Sequence, residues 1–173
     1  MPPPFPRSPE LTYSEVGASA ALPLPYGYQH VRFQTRLGRV SFEDAAEAVE
    51  TFAIHRAAGI GIVTDSARAV KGARVTVSLG VGPLRVSAPC EVVAVFTEPN
   101  RRGFAYGTLT GHPERGEEAF LLVREAGVVF FEVRAFSRPA RWFTRMGEPL
   151  VPFGQRLYAR NLARALRKLV DAP

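Results

Sequence analysis

From about residue 60 to residue 136 the chain alternates apolar and polar side chains with a period of two. Six stretches carry the pattern: Ile60–Thr64, Arg74–Leu79, Leu84–Phe96, Arg102–Leu109, Glu117–Arg124 and Val128–Phe136. Such alternation marks strands with one face turned to a core. Short turns containing Gly, Pro or Asn separate most of them, too short for a crossover helix, so the strands are expected to run antiparallel as a meander. Pro89 lacks a backbone donor inside the third stretch, which points to an edge strand or a bulge.

The flanks follow other rules. His30–Arg36 (HVRFQTR) alternates and supplies a further strand. Ser41 has the character of a helix N-cap with Asp44 three residues on, close to a capping box. Phe42, Ala45, Ala46, Val49, Phe52 and Ala53 then recur at helical spacing, with Glu43, Asp44, Glu47 and Glu50 on the other face, until Gly59 and Gly61 end the helix. After Pro139 a long amphipathic helix is expected from near Pro152. Its apolar face would hold Leu150, Phe153, Leu157, Leu162, Ala165, Leu166 and Leu169, and its basic stripe Arg156, Arg160, Arg164, Arg167 and Lys168. The expected fold is α+β, an antiparallel sheet of about six to seven strands wrapped around the C-terminal helix. That order resembles the helix-grip architecture of the Bet v 1/START-like superfamily. Residues 1–29 hold seven of the 15 prolines and read as a Pro-rich N-terminal arm, leaving 30–173 as a single domain.

Charge narrows the functional classes. Residues 1–131 carry 13 basic and 13 acidic side chains, whereas residues 132–173 carry 9 and 3, so the net +6 sits wholly in the last quarter. A basic helix stripe suits phosphate contacts, but only Tyr158 interleaves it, and a solvated face is the simpler reading. Nucleic acid and membrane surfaces are therefore disfavoured partners. Cys90 is the only cysteine, so an intramolecular disulfide and a cysteine zinc site are both excluded, and its apolar surroundings suggest an inert thiol. The N-terminus has no apolar signal core and no run approaches a membrane span, making the cytoplasm the expected location.

The sheet faces can be read residue by residue. A three-residue hairpin loop, Glu125-Ala126-Gly127, would pair Phe120 with Glu132 and Glu118 with Arg134. One face would then combine Phe104, Tyr106, Phe120, Leu122, Phe130 and Phe136 with a charged end of Glu118, Glu132 and Arg134. The same residues also suit an ordinary cross-strand ion pair beside core phenylalanines, and a one-residue slip would exchange the faces. The opposite face, locally small at Gly103, Ala105 and Gly107, needs cover from the arm, the helices or a second copy of the chain in a homodimer.

Gly103–Phe120 reads GFAYGTLTGHPERGEEAF and Phe136–Pro139 reads FSRP. With Leu11–Gly17 (LTYSEVG) and the Gln155-Arg156 helix start, these resemble an uncharacterised bacterial and plant family, domain of unknown function 1990. The resemblance implies a helix-grip-like fold and brings no established reaction. Its matching positions are Tyr106, Thr108, His112, Glu117, Glu118, Ser137 and Arg138.

Three functions compete. The first is binding of a small hydrophobic or amphipathic ligand in a cavity between sheet and C-terminal helix. Phe104, Tyr106, Phe120 and Phe130 would supply contact area, and Glu118, Arg134 and Arg138 would orient a polar end. The second is a hydrolase- or cyclase-like enzyme using His112 with Glu118 or Ser137, where a carboxylate orients the imidazole; a turn packed by the His-Pro pair accounts for His112 equally well. The third is an anionic partner, nucleic acid or lipid, on the basic helix. His30, His55 and His112 lack metal-ligand spacing and no dinucleotide or P-loop fingerprint occurs, so neither metal nor cofactor is expected.

Overall fold

The computed structural model describes residues 10–80, 82–140 and 151–171. The first nine residues of the expected arm, Leu150 and the side chain of Phe153 lie outside the described residues. The elements are Gln29–Gly38 (β1), Phe42–Glu50 (α1), Ala53–Ala57 (α2), Gly61–Thr64 (β2), Arg74–Leu79 (β3), Val86–Glu98 (β4), Arg101–Thr108 (β5), Glu114–Glu125 (β6), Val128–Pro139 (β7) and Val151–Val170 (α3). The seven strands form one antiparallel sheet in the order β1-β7-β6-β5-β4-β3-β2. Among the described residues α1, α2 and α3 cover one face, and α3 packs on β1, α1 and α2.

Ser41 caps α1, its hydroxyl accepting from the Asp44 amide at 3.1 Å. The single helix expected through this region is instead broken at Phe52, whose φ of 59° is left-handed. Thr51 donates its hydroxyl to the Glu47 carbonyl at 2.6 Å, and the bend drops the Phe52 ring edge-on to Phe104 with centroids 5.2 Å apart. Burial of an aromatic side chain offsets the backbone strain. Glu50, expected on the solvent face, is buried and bridged by Arg102 and Arg68 at 2.6–2.9 Å.

The principal core joins Phe52, Phe104, Phe120, Leu122, Phe131 and Val133 to Leu162 and Leu166 of α3. Leu157 and Leu169 are exposed rather than part of this face; Leu157 lies five residues from Leu162, about 140° around the helix. Arg167 also departs from the solvated stripe, donating to the Thr35 hydroxyl at 2.7 Å and the Arg36 carbonyl at 2.9 Å, which ties α3 to β1.

The convex face is covered by residues 10–28. Leu11 bridges to Leu109, and Thr12 and Thr110 exchange backbone hydrogen bonds with Thr108 and Glu10. Leu11 and Ala20 pack on Val93, Phe96, Ala105 and Leu121, while Tyr13 and Leu24 pack on Phe136.

The β6–β7 hairpin corrects the expected register. Its loop has two residues, with Ala126 at φ 48° and Gly127 at φ 76°. Positive φ at both positions gives the primed turn whose twist matches antiparallel strands. Glu125 therefore pairs with Val128, Phe120 with Val133 and Glu118 with Ala135. This slip of one residue sends Phe130, Glu132, Arg134 and Phe136 to the convex face. The β5–β6 pairing, Phe104 with Phe120 and Tyr106 with Glu118, keeps those four on the concave face. Pro89 marks neither an edge nor a bulge. It sits in an interior strand opposite Thr76, its carbonyl accepting from Leu109 at 2.9 Å just past the last β4–β5 pair, so its missing donor faces the end of β5. The β4 irregularity comes later, between Val92 and Ala94.

Candidate functional site

Glu117 and Glu118 are consecutive on a strand, so their side chains leave opposite faces. Glu117 points into the convex side and gathers the arm: Tyr13 donates to Oε2 at 2.6 Å, the Gly17 amide to the same oxygen at 2.7 Å and the Ser19 amide to Oε1 at 3.0 Å. The Ser19 hydroxyl also bonds Oε1. Gly107 leaves room for the arm, and Gly116 for the neighbouring β7 backbone. A Cβ on Gly107 would run into the Tyr13 ring, and one on Gly116 into the Phe136 carbonyl.

Glu118 points the other way, into a pocket of about 460 Å³ between the concave face and the first half of α3. One wall is apolar: Val77 and Leu79 from β3, Val86, Ala88 and Cys90 from β4, and Ala135 from β7. The other is polar. Tyr106 donates to Glu118 Oε2 at 3.1 Å, and the Tyr106 and Tyr158 hydroxyls lie 3.4 Å apart. Gln155 donates to Glu114 Oε2 and Ser137 Oγ, each at 3.2 Å. The His112 Nδ1 accepts from the Glu114 amide at 2.9 Å. A second hollow of about 440 Å³ adjoins across Leu79, Gly154 and Tyr158.

Burial sets the protonation of these groups. It pushes Glu118 up to about 7, with the Glu114 carboxyl adding to the rise and the Tyr106 hydrogen bond opposing it. Burial also raises Glu114 against its bonds from Ser137 and Gln155, and lowers His112 to about 4. The Tyr106, Tyr158 and Cys90 protons are held more tightly than usual for the same reason. Near neutral pH, Glu118 is thus the pocket group poised between its two forms, while His112 stays uncharged.

The sequence-derived residues divide in three. Tyr106, Glu118, His112 and Ser137 line the pocket. Phe104 and Phe120 lie beneath it, fully buried in the core. Phe130, Arg134 and Arg138 are on the opposite face. Phe130 sits half-buried beside Arg36, Arg134 pairs with Glu132 at 2.6 Å, and the exposed Arg138 stacks over the Tyr28 ring at 5.1 Å. Their removal from the pocket follows from the two-residue turn. Tyr158, Gln155 and Glu114 were not singled out as ligand contacts. Tyr158 is four residues before Leu162 and Gln155 three before Tyr158, a spacing that places all three on one helix face.

Among the described residues, no group of three His, Cys, Asp or Glu side chains is arranged to hold a metal ion. None of the described helices is long and apolar enough to cross a membrane.

The family described as "Domain of unknown function (DUF1990)" matches residues 12–165. The chain belongs to this family. The UPF0548 protein of Deinococcus radiodurans is 53% identical over 76 residues, covering 43% of this chain and 38% of that protein. The UPF0548 protein of Arabidopsis thaliana is 29% identical over 150 residues, covering 83% and 73%. The matched stretch thus spans well under half of the Deinococcus relative. Among solved structures, a hypothetical protein of Helicobacter pylori aligns with a TM-score of 0.62 at 11% identity, covering 82% of this chain and 88% of that one. A norcoclaurine synthase point mutant of Thalictrum, in complex with a transition-state analogue, aligns at 0.59 with 15% identity, covering 83% and 94%. These likenesses establish the α+β, Bet v 1-like helix-grip fold of this DUF1990 chain and leave its chemistry to its own residues.

Proposed function

We propose that this DUF1990 protein binds a small, largely apolar molecule between the concave sheet face and α3. The observation that supports it is the one-sided polarity of the pocket. Valine, leucine and alanine form one wall, Glu118, Tyr106 and Tyr158 the other, and its volume falls within the roughly 300–1,000 Å³ of ordinary ligand sites. Such a site gains affinity from apolar contact and orientation from a few polar atoms. The test is native mass spectrometry of protein purified without detergent, followed by organic extraction. A bound compound should be recovered from the wild type and lost from Ala88→Trp, whose indole would fill the apolar wall. Equal recovery from both proteins would overturn the reading.

Glu118 also favours an enzymatic reading. A buried carboxyl near 7 is matched to proton transfer at neutral pH. His112 is less suited, since it stays neutral and its Nδ1 is engaged by the Glu114 amide. Ser137 Oγ accepts from Gln155 at 3.2 Å, and among the described residues no imidazole is hydrogen-bonded to it. Mass analysis of the extracted compound before and after prolonged incubation with protein distinguishes turnover from storage, and an unchanged compound would remove this second reading.

A further inference from the structure

We infer that the pocket takes an apolar molecule ending in a protonated amine, held where Glu118 and Glu114 meet the apolar wall with no cation beside them among the described residues. The inference rests on the ligand-binding reading and specifies the chemistry of the ligand's polar end.

Every charged side chain lining the pocket among the described residues is a carboxyl: Glu114 and Glu118, with Glu117 turned to the other face. Arg164 lines the adjoining hollow instead. This is unusual for a chain of net charge +6, whose arginines elsewhere satisfy carboxylates directly, as at Glu50 and Glu132. Among the described residues Glu118 accepts a hydrogen bond from Tyr106 at Oε2, and the half-buried carboxyl keeps part of its surface open to the pocket. A ligand that closes over the pocket removes that surface from water, which is costly for a carboxylate unless the ligand itself brings a donor or a cation. An ammonium group supplies three donors and the missing positive charge at once. A ligand carboxylate or phosphate would add a further negative charge with no cation among the described lining residues to meet it. An alcohol could bond the carboxylate but would leave the charge uncompensated.

The groups facing Glu118 set the direction of the pH effect. Tyr106 from β5, Tyr158 from α3 and Cys90 from β4 hold their protons, His112 in the β5–β6 loop is neutral, and Glu114 on β6 repels a second negative charge. An ammonium therefore binds the ionised form of Glu118, and its affinity should rise as pH rises through neutrality.

The test is displacement of the neutral dye Nile red from the full chain by decylamine, decanol and decanoic acid. Decylamine should bind at least about tenfold tighter than decanol, and decanoic acid most weakly. The decylamine affinity should rise about tenfold from pH 5.5 to 8, whereas that of decanol should stay flat. Glu118→Gln should erase the preference for the amine while leaving decanol within about threefold. Decanol or decanoic acid matching decylamine, or an amine affinity that does not change with pH in the wild type, would overturn the inference. If neither the dye nor any decyl compound binds, the ligand-binding reading itself fails, a result separable from wrong headgroup selectivity.

Discussion

Glu117 and Glu118 differ by one position and occupy opposite faces of one strand. Three backbone or hydroxyl donors and a tyrosine satisfy Glu117, whereas Glu118 has one tyrosine and an apolar pocket. The raised Glu118 carboxyl favours the fold below its unfolded value of about 4.5, and that advantage is lost as pH rises towards 7. Glu118→Gln should therefore leave stability near pH 4.5 unchanged and raise it at pH 8, by up to about 3 kcal/mol. Urea unfolding at the two pH values measures this, and an equal effect at both would contradict it. His55 behaves in the opposite sense. It is fully buried among Phe52, Phe104 and Phe120, neither ring nitrogen has a hydrogen-bond partner among the described residues, and burial lowers it to about 3. Below about 6.5 the unfolded chain takes up a proton that the fold refuses, so stability falls as pH drops from 6.5 towards 3. Replacing His55 with Leu should flatten that acid limb in thermal melts recorded at pH 7 and pH 5; an unchanged slope would show that His55 is not its source. None of this was readable from residue type, because it depends on which face each side chain takes.

At the scale of elements, period-two alternation was enough to locate six of the seven strands, and β1 followed from its own short repeat. The hairpin register was not legible. A two-residue turn requires Ala126 at positive φ, a position that alanine rarely signals, and the glycine alone suits either loop length. The helix break at Phe52 was hidden for a similar reason, since its cause is the tertiary contact with Phe104. The LTYSEVG segment has a mechanical account: Tyr13 and Gly17 bind Glu117, and Gly107 leaves room for the Tyr13 ring. Gly107→Ala should release the arm, detected as faster proteolysis between residues 10 and 28 with the rest of the chain intact. Tyr13→Phe, which leaves a buried carboxylate short of one donor, should cost about 1–3 kcal/mol. Wild-type protease resistance in Gly107→Ala would show that the arm is held by other contacts.

For the whole molecule, the sheet is sealed on one side by the arm and on the other by α3, α1 and α2, leaving the space near Glu118 unfilled. The order of elements pointed to that architecture from the sequence. The pocket's composition needed the register, because a one-residue slip put Phe131 and Ala135 on the concave face in place of Phe130 and Arg134. The most direct test of a concave binding site is a methyl-resolved NMR titration of the full chain with Nile red. Shifts should be confined to the methyls of Val77, Leu79, Val86, Ala88 and Ala135. Shifts centred on Ala105, Ala119 and Leu121 beneath the arm, or none anywhere, would contradict it.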